Sequence, residues 1–196
     1  MSSSVIRASF DKQFSSKQVI SIEEIIKVAP WLLNPDVKFN SAIISINESG
    51  NMVWESGTWI DGIWEGSSIW KSGVWVDGTW LSGRWCGGIW LKGIWKYGDW
   101  LDGEWLGGEW KYGTWRTGIW HSGIWFSGYW KDGIWLDGVW KIGDWMSGRW
   151  LGGEWKEGYI KDTNLSGNYN DSLEWQYGYV SSPISPKEYW VGVKNE

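Results

Sequence analysis

The side chains able to do chemistry in this sequence are few and dispersed. His121 is the only histidine and Cys86 the only cysteine among 196 residues. Histidine could act as a general base and cysteine as a nucleophile, but each needs a second group that activates and orients it. His121 stands between Trp120 and Ser122, and Cys86 between Trp85 and Gly87, so neither neighbourhood supplies such a group. One cysteine also excludes an intramolecular disulfide and any multi-cysteine zinc site. The reading is a non-enzyme with no catalytic residues, no metal and no cofactor; His121 is expected to be a surface histidine and Cys86 a weakly exposed thiol. Carboxylates recur two residues after tryptophan at Asp61, Asp77, Asp102 and Asp137, and lysines directly after it at Lys71, Lys96, Lys111, Lys131, Lys141 and Lys156. Interspersed in this way, the two signs describe a solvated surface. The net charge of -5, from 23 acidic and 18 basic residues, implies no strongly charged partner.

What positions these residues is a repeat. Trp54, Trp59 and Trp64 are five apart, and after one six-residue step the series runs without a break from Trp70 to Trp155. Glycine stands two residues before nearly every one, as in Gly73-Val74-Trp75 and Gly133-Ile134-Trp135, so the unit is G-x-W-x-x. A straight strand with period two would throw successive tryptophans to opposite faces. A helix would spiral them around all sides, and each glycine in it would cost about 1 kcal/mol. Only a chain that turns one corner per unit keeps all the tryptophans on one side, and short strands joined by regular corners wind into a coil.

Area decides that this side is the inside. Some twenty exposed indoles, at roughly 150–250 Å² each, would far exceed the few hundred Å² of contiguous apolar surface that a soluble monomer carries. Buried, each contributes up to roughly 4–6 kcal/mol. By alternation the glycine two before each tryptophan also points inward, where a bulky neighbour leaves no room for a side chain.

This unit resembles that of the pentapeptide-repeat proteins, and Thr163-Asn164-Leu165-Ser166-Gly167 matches their form directly and in phase with the tryptophan series. Here Trp replaces Leu or Phe, and Gly replaces Ala or Ser, a swap that roughly conserves volume. The resemblance implies an all-β, right-handed quadrilateral β-helix with four five-residue sides per coil, and hence about five coils and a rod roughly 25 Å long. The outward residues themselves, compared at lags of three, four and five units, single out no coil size. A looser resemblance, in repeat style alone, is to Trp-rich G-x-W repeat proteins of marine phages. MORN repeats also contain G-x-W-x-x-G, but their longer unit is absent.

The ends differ from the repeat, as caps of a solenoid should. Ser21-Ile22-Glu23-Glu24 reads as a capping box opening a short helix to about Val28, closed by Pro30. Val37 to Ile46 alternates like a strand, with Phe39 and Ile44 in phase with Trp54. The expected organisation is a helical cap over 1–36 running into the first coil, a solenoid over 37–167 and an irregular C-terminal cap over 168–196, with Trp175 and Trp190 lying over the last coil. The extra residue in Glu65-Gly66-Ser67-Ser68-Ile69 is expected to form a corner bulge. The N-terminus lacks a signal-peptide pattern and no run of about 18 apolar residues occurs. A cytoplasmic protein is therefore expected, in a host cell or virion if viral, without membrane association.

The function expected is a structural or protein-interaction solenoid, viral (phage) by the looser resemblance, with a protein partner or self-association. Direct nucleic-acid and small-molecule binding are not expected. The pentapeptide-repeat resemblance implies one alternative, a DNA mimic that inhibits a topoisomerase or other DNA-binding protein. That needs a strongly acidic surface, whereas Trp54 to Gly158 carries 13 Asp and Glu against 10 Lys and Arg. The other alternative, a flat face for sugar or ice, needs a uniform outward row; the residues before tryptophan are interrupted by Asp99, Glu104, Glu109 and Asp144. With twenty residues per coil, Cys86, Leu106, Phe126 and Met146 stack into an apolar column, the candidate interaction face. With fifteen, Leu91, Leu106, Leu136 and Leu151 align instead, interrupted by His121, beside a mostly lysine column.

Overall fold

A computed structural model describes residues 13–160 and the pair Tyr179–Val180. From Trp54 to Ile160 the chain is a parallel β-solenoid. From Trp64 to Trp155 each pentad contributes a two-residue strand ending on its tryptophan, such as Glu104–Trp105. Trp105 is in register with Trp90 on one side and Trp120 on the other, fifteen residues away in each direction. Three sides therefore close one coil, and the twenty-one buried repeat tryptophans, three per coil, make seven coils. The four-sided coil implied by the resemblance is corrected on this point, and the rod is correspondingly taller, about 30 Å. Each rung is tied to the one below by two backbone bonds. Glu104 N donates to Gly88 O at 3.0 Å and Leu106 N to Trp90 O at 2.8 Å.

Stacking coils in register superimposes like residues, and the core is built from that superposition. The indole of Trp105 lies parallel to those of Trp90 and Trp120, with centroids 4.8 Å apart and planes within 7°. Within the coil it meets Trp100 and Trp110 edge to face, at 5.9 and 6.0 Å and 74°. Both geometries suit the ring quadrupole, and aromatic pairs contribute about 0.5–1.5 kcal/mol beyond area burial. All twenty-one rings are at most 1% exposed. Their polar edge is aimed at the corners, where Trp105, Trp120 and Trp140 donate Nε1–H to the carbonyls of Ser122, Asp137 and Glu157 at 3.0–3.1 Å.

Glycine has a different role from the one alternation assigns it. Gly108 has φ +110°, and a Cβ built there would lie 2.4 Å from Gly93 O and 2.9 Å from Gly93 N. The residue sits at the corner, in the left-handed half of φ, directly over the equivalent glycine of the coil below. Backbone conformation and backbone contact, more than room for the indole, demand glycine.

The extra residue falls where the sequence places it. Trp54 pairs with Trp70 and Trp64 with Trp80, sixteen residues apart, whereas Trp70 pairs with Trp85. In that corner Gly66 has φ +80°, and Ser68, standing where other units have glycine, is buried.

At the N-terminal end, helix α1 spans Ile22–Val28. Its capping box is complete: Ser21 Oγ accepts from Glu24 N at 3.3 Å, and the Glu24 carboxylate accepts from Ser21 N at 3.0 Å. A 3-10 turn, Pro30–Leu33, follows and brings Trp31 onto the rings of Trp59 and Trp64, at 6.0 and 5.2 Å. The first layer of indoles is thereby covered.

Strand β1, Lys38–Ile46, does not begin the coil as its phase suggests. It runs antiparallel to β2, Met52–Asp61, placing Phe39 opposite Trp59 and Ile44 opposite Trp54. The turn at Asn47–Asn51 reverses the chain: Asn47 N donates to Asn51 O and Gly50 takes φ +77°. The apolar residues stay in phase because antiparallel and parallel pairing both place alternate side chains on one face. At the other end Tyr179–Val180 pairs in parallel with Glu154–Trp155. The pentad Thr163–Gly167, the rest of the expected C-terminal cap, and Trp175 and Trp190 lie outside the described residues.

Candidate interaction faces

Three sides give the rod three faces, each presenting the residues before and after its tryptophans. The first face carries Trp85, Trp100 and Trp115 in register, the second Trp90, Trp105 and Trp120, and the third Trp95, Trp110 and Trp125. The column expected from a twenty-residue coil is dispersed over all three. Cys86 and Met146 share the first face but are separated by Leu101, Arg116 and Lys131; Leu106 is on the second and Phe126 on the third. The reason is the coil size: a twenty-residue step advances one full coil plus one side.

Charge dominates the first face. Glu55 pairs with Lys71 at 2.9 Å, and Asp99 lies between Arg84 and Arg116 at 4.0 and 3.9 Å. Burial pushes the Cys86 thiol up, and the nearby Arg84 and Lys71 offset this only in part. A thiol held protonated is a poor nucleophile.

On the third face Lys96, Lys111, Lys141 and Lys156 form most of one column. Phe126 interrupts it and is held by cations on either side, with Lys111 Nζ 3.4 Å and Lys141 Nζ 4.5 Å from its ring centroid. Glu109 and Glu154 on this face pair with Lys111 and Lys156.

The second face is the apolar one. After its tryptophans come Ile60, Val76, Leu91, Leu106, His121, Leu136 and Leu151. Before them stand Thr58, Val74, Ile89, Glu104, Ile119, Ile134 and Arg149. Ile60, Ile89 and Leu106 are 40%, 37% and 37% exposed. The one histidine is half-buried in the leucine column, its Nε2 3.5 Å from Glu104 Oε2 on the rung below. It therefore sits within the apolar patch, beside one carboxylate, at a partly exposed surface position. The fifteen-residue alignment was legible in the sequence; nothing in the outward residues favoured it over twenty.

The recurrent carboxylates have a local task. Asp61, Asp77, Asp102 and Asp137 each accept from the N–H of the following glycine at 2.7–2.8 Å, holding the corner. Burial pushes the Asp77 carboxyl up but is outweighed by the hydrogen bond from Lys92, the Gly78 N–H and the Lys92 charge, so it lies below its usual range. Lysines and arginines pair with Glu55, Asp77, Asp99, Glu109 and Glu154, and the carboxylates of the described residues make no continuous acidic stripe. Among the described residues no three His, Cys, Asp or Glu side chains converge as metal ligands, and no helix is long and apolar enough to cross a membrane.

One feature escaped the sequence reading entirely. Tyr97, Tyr112, Tyr129 and Tyr159 gather along the corner between the third and first faces, 39–56% exposed. Their signal is the spacing of fifteen between Tyr97 and Tyr112, and of thirty between Tyr129 and Tyr159, which becomes visible only with the coil size known. No protein-family model, no curated protein and no solved structure matches the chain.

Proposed function

We propose that this chain is a non-enzymatic, rigid interaction rod whose second face docks on the same face of a second copy. The observation that carries the reading is the pair of adjacent columns over seven rungs, apolar at ten of fourteen positions, on a molecule whose other two faces carry more charge. Face-to-face packing of identical surfaces requires a two-fold axis in the interface plane. An axis along the rod would set each residue before tryptophan against one after it, burying Glu104 and Arg149 against leucines. An axis along the strands, midway between the rungs of Trp120 and Trp135, makes the rods antiparallel and matches like columns. Glu104 then faces Arg149 of the second copy, Ile119 faces Ile134, and Leu106 faces Leu151.

The overlap of four rungs is roughly 19 Å by 16 Å, or about 300 Å² per copy. That is well below the ~800 Å² per partner of a standard stable interface, so the association is weak and concentration-dependent. A rod that associates laterally suits a structural or assembly role, including the phage setting implied by the repeat style. Sedimentation equilibrium tests it. Wild-type protein should show concentration-dependent dimers, Leu106→Lys with Leu136→Lys should abolish them without lowering Tm, and Glu104→Arg with Arg149→Glu together should restore what each alone weakens. A protein monomeric at all concentrations, or dimers indifferent to these changes, overturns the reading.

A further inference from the structure

The tyrosine corner is a second surface feature, separate from the apolar face. On the first face Tyr129, Asp144 and Tyr159 occupy three successive rungs in register. The carboxylate is thus one strand spacing, about 4.8 Å, from an aromatic rung on each side, and the two aromatic rungs are about 9.6 Å apart. Tyr112, on the adjoining corner, meets Tyr129 edge to face at 6.2 Å. These residues and Ile142 line an open depression of about 380 Å³.

Three further observations describe its chemistry. The Tyr112 phenol is held above its usual range, first by its hydrogen bond with Tyr129 and then by neighbouring charges that include Asp144. The Asp144 carboxylate has no hydrogen-bond or ion-pair partner among the described residues. Finally, the Tyr129 ring already attracts a cation, with Lys131 Nζ 5.9 Å from its centroid, although that ammonium reaches away to Met146 Sδ at 3.2 Å.

We infer that this corner binds a small quaternary ammonium compound of the choline or betaine class, its methyl groups against Tyr112, Tyr129 and Tyr159 and its charge beside Asp144. Ring faces attract cations through their quadrupole, and a quaternary nitrogen fits best because it brings no N–H groups that the rings would leave unsatisfied. A primary ammonium would need several acceptors where only one carboxylate stands. A sugar would need hydrogen-bonding groups all around its rim, where besides the phenols the side chains of the depression supply one carboxylate and the Ser127 hydroxyl.

Saturation-transfer NMR on the whole protein, with choline chloride as the probe, tests the assignment. Transfer to the N-methyl resonance should saturate with a Kd of roughly 1–10 mM. Cation–π and charge losses of ordinary size predict that Asp144→Asn and Tyr159→Ser each weaken binding at least about threefold, and that the neutral isostere 3,3-dimethylbutanol binds at least about threefold more weakly than choline. The isostere comparison uses wild-type protein and stands even if a variant fails to fold. Equal binding of choline and isostere, undiminished binding by a folded Asp144→Asn protein, preferential binding of methyl glucoside, or no transfer at all would each overturn the inference.

Discussion

Gly107 and Gly108 are neighbours in sequence, and the same substitution should have opposite consequences at the two. At Gly108, φ is +110° and an added Cβ would lie 2.4 Å from Gly93 O and 2.9 Å from Gly93 N. A methyl group therefore forces the residue out of a conformation that side chains rarely adopt, at a cost of about 1–3 kcal/mol. It also pushes apart two rungs joined by Glu109 N to Gly93 O, and a third joined by Ile124 N to Gly108 O, all at 2.9 Å. Loosening those two bonds adds about 0.5–1.5 kcal/mol each. The total is about 2–6 kcal/mol, which for a chain of this size corresponds to a Tm drop of roughly 5–20 °C. At Gly107 the nearest atoms to a Cβ are Ser122 Oγ at 3.5 Å and Leu91 O at 3.6 Å, ordinary contacts. Gly107→Ala should be neutral or stabilise by about 0.4–1 kcal/mol through the unfolded chain. Urea and thermal unfolding followed by tryptophan emission measure both. Equal losses at the two positions, or a loss under about 0.5 kcal/mol for Gly108→Ala, would refute the corner geometry.

Tryptophan emission should be blue-shifted and resist iodide, since the repeat rings are at most 1% exposed; Trp105→Ala, which empties a site between two stacked and two edge-on rings, should cost about 3–5 kcal/mol by denaturant unfolding. Asp77 has a depressed carboxyl, so its contribution to stability is complete above the ordinary carboxylate range and fades as pH falls through its lower folded value. Lys92→Met should therefore flatten the acid limb of a Tm-against-pH curve and leave the alkaline side unchanged below the lysine range. The Cys86 thiol, raised by burial, should alkylate with iodoacetamide more slowly than free cysteine at neutral pH, with a rate still rising where the free thiol has levelled off.

The first coil shows how far pattern reading reached. The capping box at Ser21, the extra residue between Trp64 and Trp70, and burial of every repeat tryptophan all follow from local spacing, and each is found where spacing puts it. Strand β1 shows the limit. Phase with Trp54 is equally compatible with a parallel coil and an antiparallel hairpin, and only the turn at Asn47–Asn51 decides between them.

By itself, the sequence determines that the chain turns once every five residues and that the tryptophan side is the inside, because period and area leave no alternative. It does not determine the angle of each turn, and so not how many sides make a coil. That is a tertiary property, set by how many indoles fit in one layer and how sharply the corner bends. Three indoles close a layer edge to face near 6 Å, and glycine at φ values such as +126° at Gly103 reaches a corner conformation that residues with a side chain rarely adopt. Which outward residues are neighbours depends on that angle. The leucine face with its embedded His121, the separation of Phe126 from Met146, and the Tyr129-Asp144-Tyr159 ladder all come into existence only when the fifteenth residue, rather than the twentieth, returns above the first.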